Sequence, residues 1–451
     1  MGKQELFLIT LTVCTWLWSF KDPIYGLSYF YLYYVLNYNY LYVELKSIRP
    51  LFVTPMVALI ALLVSARKRL ILAPQFKLMA AFFIWMCLSR LVNGYAVWEG
   101  EYIDHYFKGL FIFLLLTNSI DTREKLVFIL WIMVIAYADL AYVSNYYGRY
   151  SPYFFIDKNN YAFSLVGVLI YPVVFSTDEK ADWMRKLEGM GYFLLLLYGI
   201  AGSNSRGGYV GVIGAFAAML AFRLVNFKKM LWILIPVTIA LANVSSVHWE
   251  RFGTISADKE QGGTGGQRLA LWSSAGRMIY ANPVFGVGSG ESPNLFNQYS
   301  TFAEQLKVGG KDIGQEVIKV HNMLLQIASE TGIVGITLFI LIALKTFKDV
   351  LATRKLCGKR ADMVDLRRIA DGIGITFIGL IFAGQFSNFG YDIQLYSTSC
   401  LAYCAKTIAG RTPEGGPEPQ QTFVEALTTK RWGVYARGMI FVVFTYMSLR
   451  R

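Results

Sequence analysis

Charged side chains are scarce in this sequence of 451 residues: Asp, Glu, Lys and Arg make up 16% of it, against 55% hydrophobic residues. So few charges cannot coat that much apolar side chain with a soluble surface, which excludes a soluble globular protein and predicts an integral membrane protein. Alternating segments of about ten residues, the mark of a membrane β-barrel, are also missing. In their place stand continuous apolar runs such as LFVTPMVALIALLVSA. At about 15 to 20 residues each, such runs suffice to cross a hydrocarbon core of roughly 30 Å as helices.

Other absences narrow the chemistry. There are only three histidines, His105, His248 and His321, and no two stand at metal-ligand spacing. Glu99, Glu101 and Asp104 beside His105 form a loose acidic cluster that reads as a solvated face, so neither a metal nor another cofactor is expected. The glycine-rich stretches do not follow a strand and open a helix as a nucleotide fold requires. None of the five cysteines falls in a loop expected outside, which argues against a disulfide. No basic n-region and small-residue cleavage site precede the first apolar run, so it is expected to be retained. No internal repeat is visible, which disfavours transporters built from repeated halves.

What is present reads as an all-α polytopic membrane protein with roughly 12 spans, within about 11 to 14. Apolar runs are expected to span at 51–66, 78–91, 106–116, 126–143, 161–175, 192–201, 209–224 and 230–247, then at 333–344, 373–386 and 395–405. Two N-terminal runs and the short final run from Gly438 to Met447 leave open whether they span. The chain divides into an N-terminal helix bundle (1–247), a polar loop (248–332), C-terminal helices (333–410) and a tail with a short apolar end (411–451). The net charge of +13 concentrates after every second span, as in ARKRL near Arg67 and the basic region around Arg360. By the positive-inside rule those loops face the cytoplasm, and the long loop, the turn GSNSRGG and the connection NFGYD face the extracytoplasmic side.

Three residues carry the candidate chemistry. His321 opens the stretch HNMLLQIASETGIVG where the long loop re-enters the apolar region, and a neutral imidazole there could accept a proton from an attacking hydroxyl. Position alone also fits an interfacial histidine that only bonds locally. Arg206, in GSNSRGGYVG, is the one charge in a turn of small residues at the head of a helix, a receptor for phosphate oxygens or a snorkelling arginine. Arg268 belongs to a segment, QRLALWSSAGRMIYANPVFGVGSG, expected to form an interfacial helix with Trp272 and Met278 toward lipid. Arg277 lies nine positions on, about 900° at about 100° per residue, so the two arginines point to opposite sides. Arg251, Arg277 and Asn322 are secondary candidates; any one of the loop arginines also fits a headgroup anchor.

These residues and their order resemble the O-antigen ligase and polymerase superfamily of bacterial membrane glycan transferases. The likeness runs from SNSRGGYVG at Ser203, through R-L-x-x-W and N-P-x-x-G-x-G, to H-N-x-x-L-Q with E-x-G-x-x-G, ending near Leu344. The first half is similar in hydropathy only, and FIDKNNYA and ERFGTI resemble exosortase-associated O-glycosylation ligases. The resemblance implies a metal-independent, inverting transfer of a glycan from undecaprenyl diphosphate to a hydroxyl acceptor at the periplasmic face of the inner membrane. Arg206 and Arg268 would bind the diphosphate and His321 would activate the acceptor. Lipid A-core, a growing glycan and a protein side chain are the acceptors of the three branches. No large outer domain follows the last clear span, which favours the ligase that acts on lipid A-core over a protein O-oligosaccharyltransferase. Outside the superfamily, a polysaccharide or lipid-linked sugar transporter would place charges near the membrane midplane, and a scaffold would leave the three residues individually replaceable.

Overall fold

The apolar runs become helices because only a helix satisfies its own backbone polar groups away from water. The computed structural model describes residues 3–36, 45–65, 70–146, 158–178, 181–225, 264–308, 319–358, 360–412 and 431–449, and among these there is no strand. The expected run at 230–247 and the tail near Arg411–Gln421 lie wholly or mostly outside the described residues. The principal helices are α1 (Lys3–Ser19), α2 (Ile24–Leu36), α3 (Pro50–Val64), α4 (Pro74–Val92), α5 (Glu101–Ser119), α6 (Arg123–Tyr146), α7 (Lys158–Val166), α8 (Ile170–Ser176), α9 (Trp183–Gly202), α10 (Arg206–Ala221), α11 (Thr264–Ala281), α12 (Met323–Cys357), α13 (Val364–Gly384), α14 (Ile393–Arg411) and α15 (Arg431–Leu449).

Among the described residues, four segments are long and apolar enough to cross a membrane: α4, α6, the α7–α8 pair over Lys158–Ser176, and α12. Shorter apolar helices occupy Pro50–Val64, Arg206–Ala221 and Gly433–Tyr446. Local signals set several boundaries. Proline opens α3 and α4, where its missing N–H costs no hydrogen bond. Asp182 caps α9 by accepting from the Arg185 N–H, and Asp392 caps α14 by accepting from the Gln394 N–H. The expected run at 333–344 is the middle of α12, which continues through the basic stretch to Cys357 and begins nine residues before Gly332, at Met323. The domain boundary expected at residue 332 therefore falls on a kink inside one helix, where Gly332 has φ 66° and ψ −165°.

Two interfaces position the site. Helices α10 and α13 run antiparallel in close contact, because glycine recurs on one face of α10. A Cβ at Gly207 would stand 2.7 Å from Cβ of Phe386, one at Gly211 2.8 Å from Cβ of Ala383, and one at Gly214 2.8 Å from the Phe382 ring. Small residues at such spacing let two backbones approach in an apolar medium. Helix α12 packs against α4, α13 and α14. The final apolar run is longer than it looks: α15 starts at Arg431 and packs on α6 and α9. Arg437 within it pairs with both carboxylate oxygens of Glu188, at 2.8 and 2.5 Å, and lies over the Trp131 ring. A buried charge needs such a partner, and neither run shows in its own hydropathy that the other supplies it.

Candidate active site

Arg206 is the first residue of α10, and the turn before it is tied down by short side chains. Asn204 takes a left-handed conformation (φ 56°), which asparagine tolerates better than most residues. The Ser205 hydroxyl accepts from the Gly208 N–H at 3.1 Å and donates to Oδ1 of Asn159 at 2.7 Å. The Ser203 hydroxyl accepts from the Ser205 N–H. Arg206 itself is half-buried. The guanidinium therefore stands on a fixed helix start, whose N–H groups and dipole favour an anion.

Arg268 sits in the first turns of α11, half-buried, with its guanidinium 5.5 Å from the centroid of the Phe386 ring. Phe386 also meets the backbone at Gly207, so one aromatic side chain is shared by the surroundings of both arginines. One helical turn after Arg268, the Trp272 indole N–H donates to the Val320 carbonyl at 3.0 Å. That bond draws α11 to the residue before His321. The His321 backbone is left-handed (φ 51°), and its N–H donates to Oδ1 of Asn388 at 2.7 Å. Asn388 and Phe386 belong to the turn between α13 and α14, residues 385–392. This turn, anchored by the stack of Phe389 on Phe163 at 4.3 Å, brings the Arg206 turn, Arg268 and His321 to one end of the helix bundle.

The secondary candidates separate from these three. Asn322 caps α12, its Oδ1 accepting from the N–H groups of Leu324 and Leu325. Arg277 donates from Nε to the Tyr299 carbonyl at 2.5 Å and pairs with Glu304, closing the loop through the short helices Phe296–Tyr299 and Phe302–Val308. Burial alone would raise the Glu304 pKa, but the Thr301 N–H and hydroxyl and the Arg277 guanidinium hold it below the usual carboxylate range. Arg251 lies outside the described residues. One expectation for α11 is corrected: Met278 is not turned to lipid but is 1% exposed, and Trp272 turns inward to Val320, whereas Tyr280 is 91% exposed. Inter-segment bonding outweighs the helix's own weak amphipathic pattern.

Sequence reasoning assigned no role at the site to Gly286, Gly288, Gly290 or Arg90. In the fold the segment 282–291 is docked on the kink of α12. The Val287 N–H donates to the Ser329 carbonyl at 2.9 Å, and the Gly288 N–H to the Glu330 carbonyl at 3.2 Å. From the other side the Ile333 N–H donates to the Pro283 carbonyl at 2.8 Å. The end of α4 seals this contact. The Ser89 hydroxyl reaches the carbonyls of Phe285 and Glu330, at 2.7 and 2.8 Å, and the Trp85 indole N–H donates to the Thr331 carbonyl. Arg90, 2% exposed, donates to the Ser289 carbonyl and pairs with Glu291 at 2.8 Å. The sequence signal for this was the repeated glycine in N-P-x-x-G-x-G and E-x-G-x-x-G: paired glycines permit backbone-to-backbone contact as well as turns.

No curated protein matches the chain. A family model described as O-antigen ligase matches residues 191–340, a segment that contains Arg206, Arg268 and His321 together with the docked glycines. Over about a third of its length, a stretch that includes the three residues brought together at one end of the bundle, the chain is therefore similar to the O-antigen ligase family.

Proposed function

We propose that the protein is a glycosyltransferase that moves a glycan from undecaprenyl diphosphate to a hydroxyl acceptor at the periplasmic face of the inner membrane, most simply a ligase acting on lipid A-core. The observation that carries this reading is the turn at 385–392, whose Phe386 adjoins the Arg206 helix start and Arg268 while its Asn388 holds the His321 backbone. Two guanidiniums near one helix start suit a diphosphate, and they stabilise the charge that grows on it as the sugar departs. The imidazole of His321 accepts the proton of the acceptor hydroxyl. A new bond forms between the acceptor oxygen and the anomeric carbon, while the bond to the phosphate oxygen breaks and its electron pair leaves with undecaprenyl diphosphate. Attack opposite the leaving group inverts the anomeric centre, and no step calls on a metal.

The test supplies purified protein with a lipid-diphosphate glycan and, in separate arms, lipid A-core, a glycan or a serine-bearing peptide, each with and without chelator. Product with lipid A-core that survives chelator is the expected result. Product only with a glycan or a peptide would move the protein to the polymerase or protein-modifying branch, and loss with chelator would end the metal-free mechanism. In the same assay Arg206→Ala and Arg268→Ala are each expected to lower kcat/KM by about 10²- to 10³-fold, the scale for losing one donor to a developing anion. Lysine at either position should recover only part, since it restores the charge without the planar fork. Wild-type turnover in both alanine variants would remove the arginines from the site.

A further inference from the structure

Glu330 is 0% exposed, and its carboxylate joins three segments that are far apart in sequence. Oε2 accepts from the Gly290 N–H at 3.0 Å and from the Tyr391 hydroxyl at 2.9 Å, and Oε1 accepts from the Ser292 hydroxyl at 2.7 Å. Gly290 and Ser292 lie in the segment that follows the Arg268 helix. Tyr391 belongs to the turn that carries Phe386 and Asn388, and it is clamped by stacking on Tyr102 at 4.9 Å. Glu330 itself ends the first piece of α12, the piece that His321 leads, just before the kink.

We propose that Glu330 is a positioning residue for the transfer, the joint that sets where Arg268 stands relative to His321. The inference rests on the functional reading above. Each neighbouring segment contributes one part of the geometry: α11 holds Arg268, α12 follows directly on His321, and the 385–392 turn touches both. Among the described residues, the Glu330 side chain is where hydrogen bonds from the loop and from the turn converge on α12. A misplacement of about 1 Å between a bound donor and a base costs on the order of 10²-fold in rate.

The partners of Glu330 separate positioning from proton transfer. These three, and the Gln326 amide that also bonds the carboxylate, are neutral donors, and two are hydroxyls, which can turn and accept instead. Glutamine can therefore keep the joint: its oxygen takes the place of Oε2, and its NH₂ donates to a rotated Ser292 hydroxyl. Aspartate is one methylene short and alanine makes no bond. The experiment measures kcat and donor KM per folded molecule for wild type, E330Q, E330D and E330A in nanodiscs. It adds limited proteolysis of the segment 282–308 without substrate.

E330A and E330D are expected to lose about 10²-fold in kcat with donor KM changed far less, and to be cleaved faster. E330Q should stay near wild type in both. If E330Q is as slow as E330A while its loop stays protected, Glu330 acts on protons and the positioning role is overturned. Wild-type kcat per folded molecule in E330A overturns it as well. Should E330A not fold, Ser292→Ala and Tyr391→Phe each remove one donor and are expected to slow kcat in the same sense; unchanged kcat in both overturns the joint. Should the wild type transfer nothing from any lipid-diphosphate glycan, the functional reading fails by itself. The joint is then decided by proteolysis: a loop in E330A as resistant as in wild type ends it.

Discussion

His321→Ala is expected to lower kcat by about 10²- to 10⁴-fold, the range a positioned general base contributes, with donor binding retained. Two backbone supports of this position survive the substitution. The bond that anchors residue 321 runs from its backbone N–H to Asn388, and the helix that follows is capped by Asn322, so neither support depends on the imidazole. One complication is conformational: φ is 51° at this position, a region that alanine enters at a cost. His321→Asn resolves it, because asparagine tolerates the left-handed region yet cannot serve as the base. Both variants should lose turnover while binding a lipid-diphosphate glycan with near-normal affinity in a direct binding measurement. Undiminished product from either would show that the base lies elsewhere.

Gly332→Ala should do comparable damage through the fold alone. With φ 66° and ψ −165°, residue 332 occupies a region open essentially to glycine. A Cβ there would stand 2.1 Å from the Val284 carbonyl oxygen and 2.4 Å from its carbon. Both atoms are backbone and cannot swing away as a side-chain tip can. Relief requires lifting the segment 282–291 from the kink, which breaks the bond between Ile333 and Pro283. The combined strain is on the order of 3 kcal/mol or more, read as a lower midpoint of thermal unfolding and faster proteolysis of the loop. Gly276→Ala supplies the contrast. Gly276 lies within α11 with nothing within 4 Å of an added Cβ, so alanine there should be neutral or stabilising by about 0.5–1 kcal/mol. Equal stability of the Gly332→Ala variant and wild type would mean that the docked loop is not part of the folded ground state.

The class of the protein and the identity of the three principal candidates were legible in the sequence, each for a local reason. Apolar run length reports helices directly, because a backbone away from water has few other options. Arg206 was visible as a lone charge among small residues, and His321 as a titratable group at the edge of an apolar run. Arg277 was separable from Arg268 by helical phase, and the two do meet different partners, Glu304 and Phe386. The expectation for Met278 failed because hydrophobic patterning cannot distinguish a side chain facing lipid from one facing a folded loop: both surroundings are apolar.

Tertiary structure alone decided how those residues are assembled. The turn at 385–392 looked like an ordinary connection between two helices, and nothing in its composition announces that Phe386 and Asn388 hold Arg268 and the His321 backbone. Arg90 and Glu330 were hidden for a related reason. A single charge inside an apolar run is interpretable only once its partner is known, and Glu291 stands about two hundred positions from Arg90, while Tyr391 stands sixty-one from Glu330. Sequence by itself determined that this is an α-helical membrane protein, and it singled out Arg206, Arg268 and His321 as candidates. That they share one end of the bundle, beside a segment docked by glycine against a kinked helix, was decided by contacts between distant segments, whose energies depend on proximity that the order of residues does not contain.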